Sequence, residues 1–280
     1  MPLFEGGPAD GESSIRVSFQ KCFVRFITLT NNSEVREGAG RLISSSASFG
    51  RVCYIRDDKT VLGEREPDSS IMELLYDGPK SSALTLVLAH GAGAPMDSPF
   101  MNRIAAGLGE SGIRVVRFEF PYMSAQRRTH KRSAPDREPV LRATWHEVID
   151  HLGGAERLVI GGKSMGGRIA SLIADEAGVC RLVCLGYPFH PPGRPQRLRV
   201  EHLRNLRTPM LIVQGTRDKL GNREEVATYD LSPNIHIAWI EEGDHSFKPP
   251  KHSTRTEEQN MAEAVGVARE FLDRLSDSAK

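Results

Sequence analysis

The sequence predicts an α/β fold, a mainly parallel sheet with helices on both faces. Three observations predict it: apolar strand-like runs alternate with helical stretches from residue 71 onward, several of those runs are apolar throughout, and chemistry-bearing residues recur just past their ends. At 280 residues and 39% hydrophobic content the chain can bury one sizeable core with an appendage.

Residues 1–70 differ in character from the rest of the chain. They carry a serine-rich patch (Ser44, Ser45, Ser46, Ser48), scattered glycines and one strand-like run from Val17 to Leu29 with no partner legible in the sequence. Two readings stand side by side: a poorly structured N-terminal extension, or upstream sequence joined by a mistaken start with Met72 as the true beginning. Residues 71–280 then form the regular domain. Its strands are expected at Met72–Tyr76, Leu84–Ala89, Ile113–Phe120, Arg157–Gly161, Arg181–Gly186, Met210–Gly215 and Ile235–Ile240. Helical spacing runs over about Asn102–Glu110, Pro139–Leu152, Met165–Glu176 and Arg223–Tyr229, and a closing helix from about Thr256 to Leu275. Such alternation means βαβ crossovers, and ligands of such sheets bind beyond the carboxyl ends of the strands.

The formal net charge of +1 argues against electrostatic capture of nucleic acid by the whole molecule. No run of about eighteen apolar residues marks a membrane span. The N-terminus lacks the pattern of a secretory signal. Of the cysteines Cys22, Cys53, Cys180 and Cys184, none has zinc-site spacing, and the last two lie in or beside an apolar strand, as buried reduced thiols do. A reducing cytoplasm fits best.

The most informative stretch is Gly162-Lys163-Ser164-Met165-Gly166. It has the G-x-S-x-G form of a nucleophile elbow, in which a serine occupies a sharp strand-to-helix turn and the residues two before and two after it must be small. The pentapeptide alone is a weak signal and fits a glycine-rich turn holding a surface serine equally well. Its flanks supply the context, with a buried strand before it and helical spacing through Ile169, Leu172 and Ile173 after it.

A serine needs a base, and the base an orienting acid. Asp218 follows the strand Met210–Gly215 through Thr216-Arg217, and His245 follows the strand ending at Ile240 through Glu241 to Asp244. The order Ser, Asp, His is that used when this chemistry is built on a parallel sheet. Asp218 alone reads as a turn former and His245 alone as a loop histidine. Asp244 is a rival acid, but adjacent residues seldom present side chains to a common point. An anion site is expected at His90-Gly91-Ala92-Gly93-Ala94, where small residues let backbone N–H groups approach a developing oxyanion. The donors are Met165 together with Ala92 or Gly93. A dinucleotide loop fails for want of a third glycine, a phosphate loop for want of G-K-[ST], and no ligand cluster implies a metal.

With these elements in place the chain resembles a small bacterial α/β-hydrolase, of a group similar to dienelactone hydrolases. The resemblance rests on LAHGAGAPMDSPFM, RFEFPYM, LVIGGKSMGGRIAS, LVCLGYPFHPPG, TPMLIVQGTRD and EEGDHSFKP, between residues 87 and 249, and extends from about 71 to the C-terminus. It implies Ser164 as nucleophile, Asp218 as acid, His245 as base, Ala92 and Met165 as oxyanion donors, and no cofactor. Residues 1–70 do not match. The family also has animal relatives, one a module of a chromatin-modifying complex. A catalytically silent scaffold is therefore the alternative to a serine esterase, and acyl transfer is a third.

Tyr187 to Thr208 is too short for a separate cap domain, so the pocket should be shallow and open. His90, Gly91, Gly93, Tyr122 and Phe189 are expected at the substrate, although Tyr122 also fits as packing beneath the loop. Basic residues Arg127, Arg128, Lys131 and Arg132, with Arg194, Arg197 and Arg199, form either a positive rim attracting a small acyl substrate that carries a carboxylate or phosphate, or an ordinary solvated surface. Substrate identity and oligomeric state are not legible in the sequence.

Overall fold

The computed structural model describes residues 72–274, together with three short strands nearer the N-terminus. Chain contacts divide into two units, Met1–Ser69 and Ser70–Lys280. In the first, β1 (Thr28–Leu29), β2 (Val35–Glu37) and β3 (Gly40–Leu42) pair antiparallel in that order. The run expected over Val17–Leu29 lies outside the described residues apart from its last two, as do Cys22, Cys53 and the serine-rich patch.

The second unit is a seven-stranded sheet. Its strands are β4 (Leu74–Asp77), β5 (Thr85–Ala89), β6 (Arg114–Phe118), β7 (Leu158–Lys163), β8 (Arg181–Leu185), β9 (Met210–Gly215) and β10 (Ile235–Ile240), in the spatial order β10-β9-β8-β7-β5-β6-β4. All pairs are parallel except β4 with β6. The central strands are buried on both faces because their residues alternate between two cores. Val87 and Ala89 of β5, with Met210 and Ile212 of β9, face a core that includes Leu141 and Trp145 of α3 (Glu138–His151) and Ile169 and Ile173 of α4 (Met165–Ala177). Leu86, Leu88, Leu211 and Val213 face the other, made with Ile104 and Leu108 of α1 (Pro99–Glu110) and Met261, Ala264 and Leu272 of α6 (Glu257–Asp273).

The closing helix starts where a capping box sits. Thr256 accepts from the Gln259 N–H, and the Gln259 side chain accepts from the Thr256 N–H. A second box, Asn222 with Glu225, opens the one-turn α5 (Arg223–Val226), shorter than the sequence pattern implied. One helix was not anticipated: α2 (Pro121–Thr129). Its signal was Pro121 at the first helical position, but its polar composition masked the period. Between β8 and β9 there is only a 3-10 turn, Glu201–Leu203, and no separate cap. The carboxyl ends of β5, β7, β8, β9 and β10 therefore share one open edge of the sheet.

Candidate active site

Ser164 stands between the last residue of β7 and the first of α4, with φ 51° and ψ −114°. A non-glycine residue there carries strain of order 1–3 kcal/mol, held only when its surroundings over-determine it. They do so here. Its N–H donates to Leu185 O at 3.1 Å, and its carbonyl accepts from the Arg168 N–H at 3.0 Å. The turn requires glycine on both sides. At Gly162 a Cβ would overlap the Ala89 carbonyl, and at Gly166 it would lie 2.5 Å from Ala89 O and 2.6 Å from His90 O. The serine side chain is left partly exposed.

The Ser164 hydroxyl lies 2.8 Å from His245 Nε2, and His245 Nδ1 lies 2.7 Å from Asp218 Oδ2. Asp218 has no exposed surface, and its carboxylate is further held by the Leu220 N–H at 2.8 Å and by Gln214 Nε2 at 2.8 Å. The rival acid, Asp244, is engaged elsewhere: its Oδ1 accepts the N–H groups of Ser246 and Lys248, at 2.8 and 3.0 Å. Adjacent residues do point apart, and Asp244 shapes the loop instead of the imidazole. In such an array the hydroxyl can pass its proton to Nε2 as its oxygen attacks, while the buried carboxylate favours the cationic ring.

The loop after β5 runs beside the serine, since a Cβ on Gly91 would sit 3.8 Å from Ser164 Cβ. Ala92 and Gly93 are exposed, and Gly93 has nothing within 4 Å of its Cβ direction. The Met165 N–H is in the first turn of α4, where helix geometry leaves it without an intrahelical acceptor and the helix dipole favours negative charge.

Of the residues expected at the substrate, His90, Gly91, Tyr122 and Phe189 are buried and Gly93 is exposed. His90 has 0% exposure: its Nδ1 faces Gly91 O at 2.7 Å, and its Nε2 accepts the Phe120 N–H at 3.1 Å. That assigns the proton to Nδ1, and burial lowers the pKa and keeps the ring neutral. His90 is a brace between two loops. Phe189 is also fully buried, packed on Tyr187 and Tyr229 and against Gly221. Tyr122, at 4% exposure, takes the packing alternative: its hydroxyl donates to Ala92 O at 3.0 Å from below. Arg127 is likewise not free for a rim. It pairs with Asp97 at 2.8 Å and with the buried Glu119 at 2.6 Å, so it ties α2 to the loop after β5.

Two residues of the site escaped sequence reasoning. Gln214 was visible as the lone polar residue in an apolar strand, four before Asp218. Besides holding that carboxylate, it accepts the Tyr187 N–H at 2.7 Å and donates to Gly221 O at 3.0 Å. Lys163 occupies an unspecified position of the elbow motif and carries no signal there, yet it is buried against the His245 loop.

Among the described residues no group of three or more His, Cys, Asp or Glu could hold a metal ion, and no helix is long and apolar enough to cross a membrane. Residues 82–273 match the family described as "Alpha/beta hydrolase domain". Solved structures similar to the chain include a serine hydrolase homologue from Coxiella burnetii, at 19% identity and TM-score 0.55, covering 78% of this chain and 99% of that one. A dienelactone hydrolase from Anabaena variabilis is similar at 18% identity and TM-score 0.56, covering 72% and 91%. Est1E from Butyrivibrio proteoclasticus, solved with ferulic acid bound, is similar at 17% and 0.54, covering 75% and 96%. At these identities the likeness is one of fold. The family match spans more than half of the sequence, and the chain belongs to the α/β-hydrolase domain family.

Proposed function

We propose that this protein is a serine hydrolase that cleaves a small ester or related acyl bond through an acyl-enzyme intermediate. The observation that carries the reading is the unbroken line from a strained, partly exposed serine through an imidazole to a buried carboxylate, at 2.8 and 2.7 Å. Strain is retained at Ser164 where a relaxed turn would serve a scaffold as well.

In this mechanism His245 Nε2 takes the Ser164 proton as the oxygen attacks the acyl carbon. Asp218 holds Nδ1–H, so Nε2 is the free acceptor, and it stabilises the imidazolium. The Met165 and Ala92 N–H groups receive the oxyanion. His245 then returns the proton to the leaving alcohol and activates the water that releases the acid. No step calls for a cofactor. The open edge, without a cap, favours a small or extended substrate. The serine hydrolase homologue and the dienelactone hydrolase, alike in fold, support the same class of chemistry.

The test is labelling with a fluorophosphonate probe, comparing the natural chain with Ser164→Ala, followed by a panel of short-chain aryl esters. Label on the natural chain alone, with turnover of at least one ester, is expected. Absence of label on both would replace the hydrolase with a silent scaffold.

A further inference from the structure

Lys163 is the residue immediately before the serine, and its side chain leaves the elbow on the side of the His245 loop. It is buried, with 9% of its surface exposed, and among the described residues no carboxylate pairs with its ammonium. Instead Nζ donates to the backbone carbonyl of His245. The ring of Phe100, from α1, lies 5.1 Å from Nζ, and the ring of Phe247, from the His245 loop, lies 5.9 Å away. Gly186, at the end of β8 with φ 68°, leaves the opening in which donor and acceptor meet. A Cβ there would stand 2.7 Å from both Nζ and His245 O. An apolar side chain would fill this slot without a desolvation penalty, so a buried cation without a carboxylate calls for a reason.

We infer that Lys163 is a positioning residue: its ammonium ties the backbone of the base to the strand end that carries the nucleophile, so that one side chain sets the register of Ser164 and His245. The inference rests on the hydrolase reading for its catalytic consequence, but the tether itself is a structural statement. Ser164 and His245 lie 81 residues apart, one just past the end of β7 and the other on the loop after β10, two strands beyond β7's neighbour in the sheet. A tether anchored on the residue next to the serine is the shortest means of making the two ends move together. Positional errors of about 1 Å can lower such rates by about a hundredfold.

The ammonium's own titration then becomes visible in activity. Burial lowers the Lys163 pKa to about 8. The charged and titratable groups facing it are Asp218 after β9, and Asp244 and His245 after β10, and the two carboxylates act to raise it. Helix α1 presents the Phe100 ring, and a Cβ on Gly91 of the loop after β5 would lie 3.4 Å from Lys163 Cγ. Above about pH 8 the neutral amine is a weaker donor and loses its attraction to both ring faces.

The experiment compares the natural chain with Lys163→Met, which keeps length and volume between the rings. It reads kcat and KM for an aryl ester from pH 6 to 10, the fluorophosphonate labelling rate, and hydrogen exchange of residues 243–248 corrected for intrinsic rates. In the variant kcat falls about 10- to 100-fold with KM within about twofold, residues 243–248 exchange faster, and the decline in activity through about pH 8 disappears. The pKa is depressed in the fold, and the unfolded lysine titrates near 10.4, so relative to the variant the natural chain gains stability between those two pH values while losing activity. General alkaline unfolding would lower both. If Lys163→Met does not fold, Phe100→Leu removes one ring face and moves the activity limb to lower pH. Unchanged kcat, unchanged exchange and a retained limb in Lys163→Met overturn the inference, as does an unmoved limb in Phe100→Leu. An inactive natural chain whose 243–248 exchange still depends on Lys163 keeps the tether and rejects the hydrolase.

Discussion

Replacing Gln214 with leucine tests whether the orientation of Asp218 depends on the strand beneath it. The side-chain amide is fully buried: its oxygen accepts the Tyr187 N–H at 2.7 Å, and its two N–H hydrogens are shared among Asp218 Oδ2 at 2.8 Å, Gly221 O at 3.0 Å and Tyr187 O at 3.2 Å. The bond to the carboxylate is charge-assisted, and losing it costs about 1.5–3 kcal/mol. The Tyr187 N–H is left buried without an acceptor, at about 1–3 kcal/mol more. Leucine's apolar burial offsets about 1 kcal/mol of this. The net expectation is a loss of about 1.5–5 kcal/mol, or a Tm lowered by roughly 3–20 °C for a domain of this size. Catalysis suffers less, because the Leu220 N–H still holds Asp218 Oδ1 and His245 Nδ1 still meets Oδ2. We expect kcat to fall about tenfold, against about 10⁴-fold for Asp218→Asn, which inverts the imidazole tautomer. Thermal unfolding and aryl-ester kinetics on the same preparation measure both. A Tm within about 2 °C of the natural chain together with kcat within about twofold would refute the argument that this amide holds the acid.

Gly166→Ala should lower kcat at least about a hundredfold, because its methyl cannot fit 2.5 Å from Ala89 O without moving the anion loop; steady-state kinetics at near-normal activity would contradict the account of the elbow. Tyr122→Phe removes the donor beneath Ala92 O and should cost about 1 kcal/mol of stability and a few-fold in kcat, measured by denaturant unfolding and ester turnover. With Arg127 committed to Asp97 and Glu119, any attraction of anionic substrates rests on Arg128, Lys131, Arg132, Arg194, Arg197 and Arg199. Esters of equal size, one neutral and one anionic, should then differ in kcat/KM, with the difference shrinking as salt is raised; identical rates and salt dependence would leave these residues as plain surface.

All seven main strands are legible because a buried parallel strand leaves a local record, a short apolar run bounded by turn residues. The elbow is legible for the same kind of reason. Gly162 and Gly166 are required by contacts with the Ala89 and His90 carbonyls, and the requirement shows as glycine at fixed offsets from Ser164. Asp218 and His245 were recognisable by position, each just past a strand end. Helix α2 was not, because Pro121 is its one boundary signal and its core-facing pair, Tyr122 and Met123, is too short to set a period.

The sequence by itself determined the fold class, the order of the elements and the placing of Ser164, Asp218 and His245 just past strand ends, since each of these is written in patterns a few residues long. Only the tertiary structure decided which face each side chain serves. His90, Phe189 and Tyr122 share the motif stretches yet lie under the surface, Gln214 and Lys163 act through neighbours distant along the chain, and Arg127 is neutralised by two acids from other segments. The physical reason is that burial, hydrogen-bond partnership and charge compensation belong to pairs of residues brought together by packing, and a single chain position carries no mark of its partner.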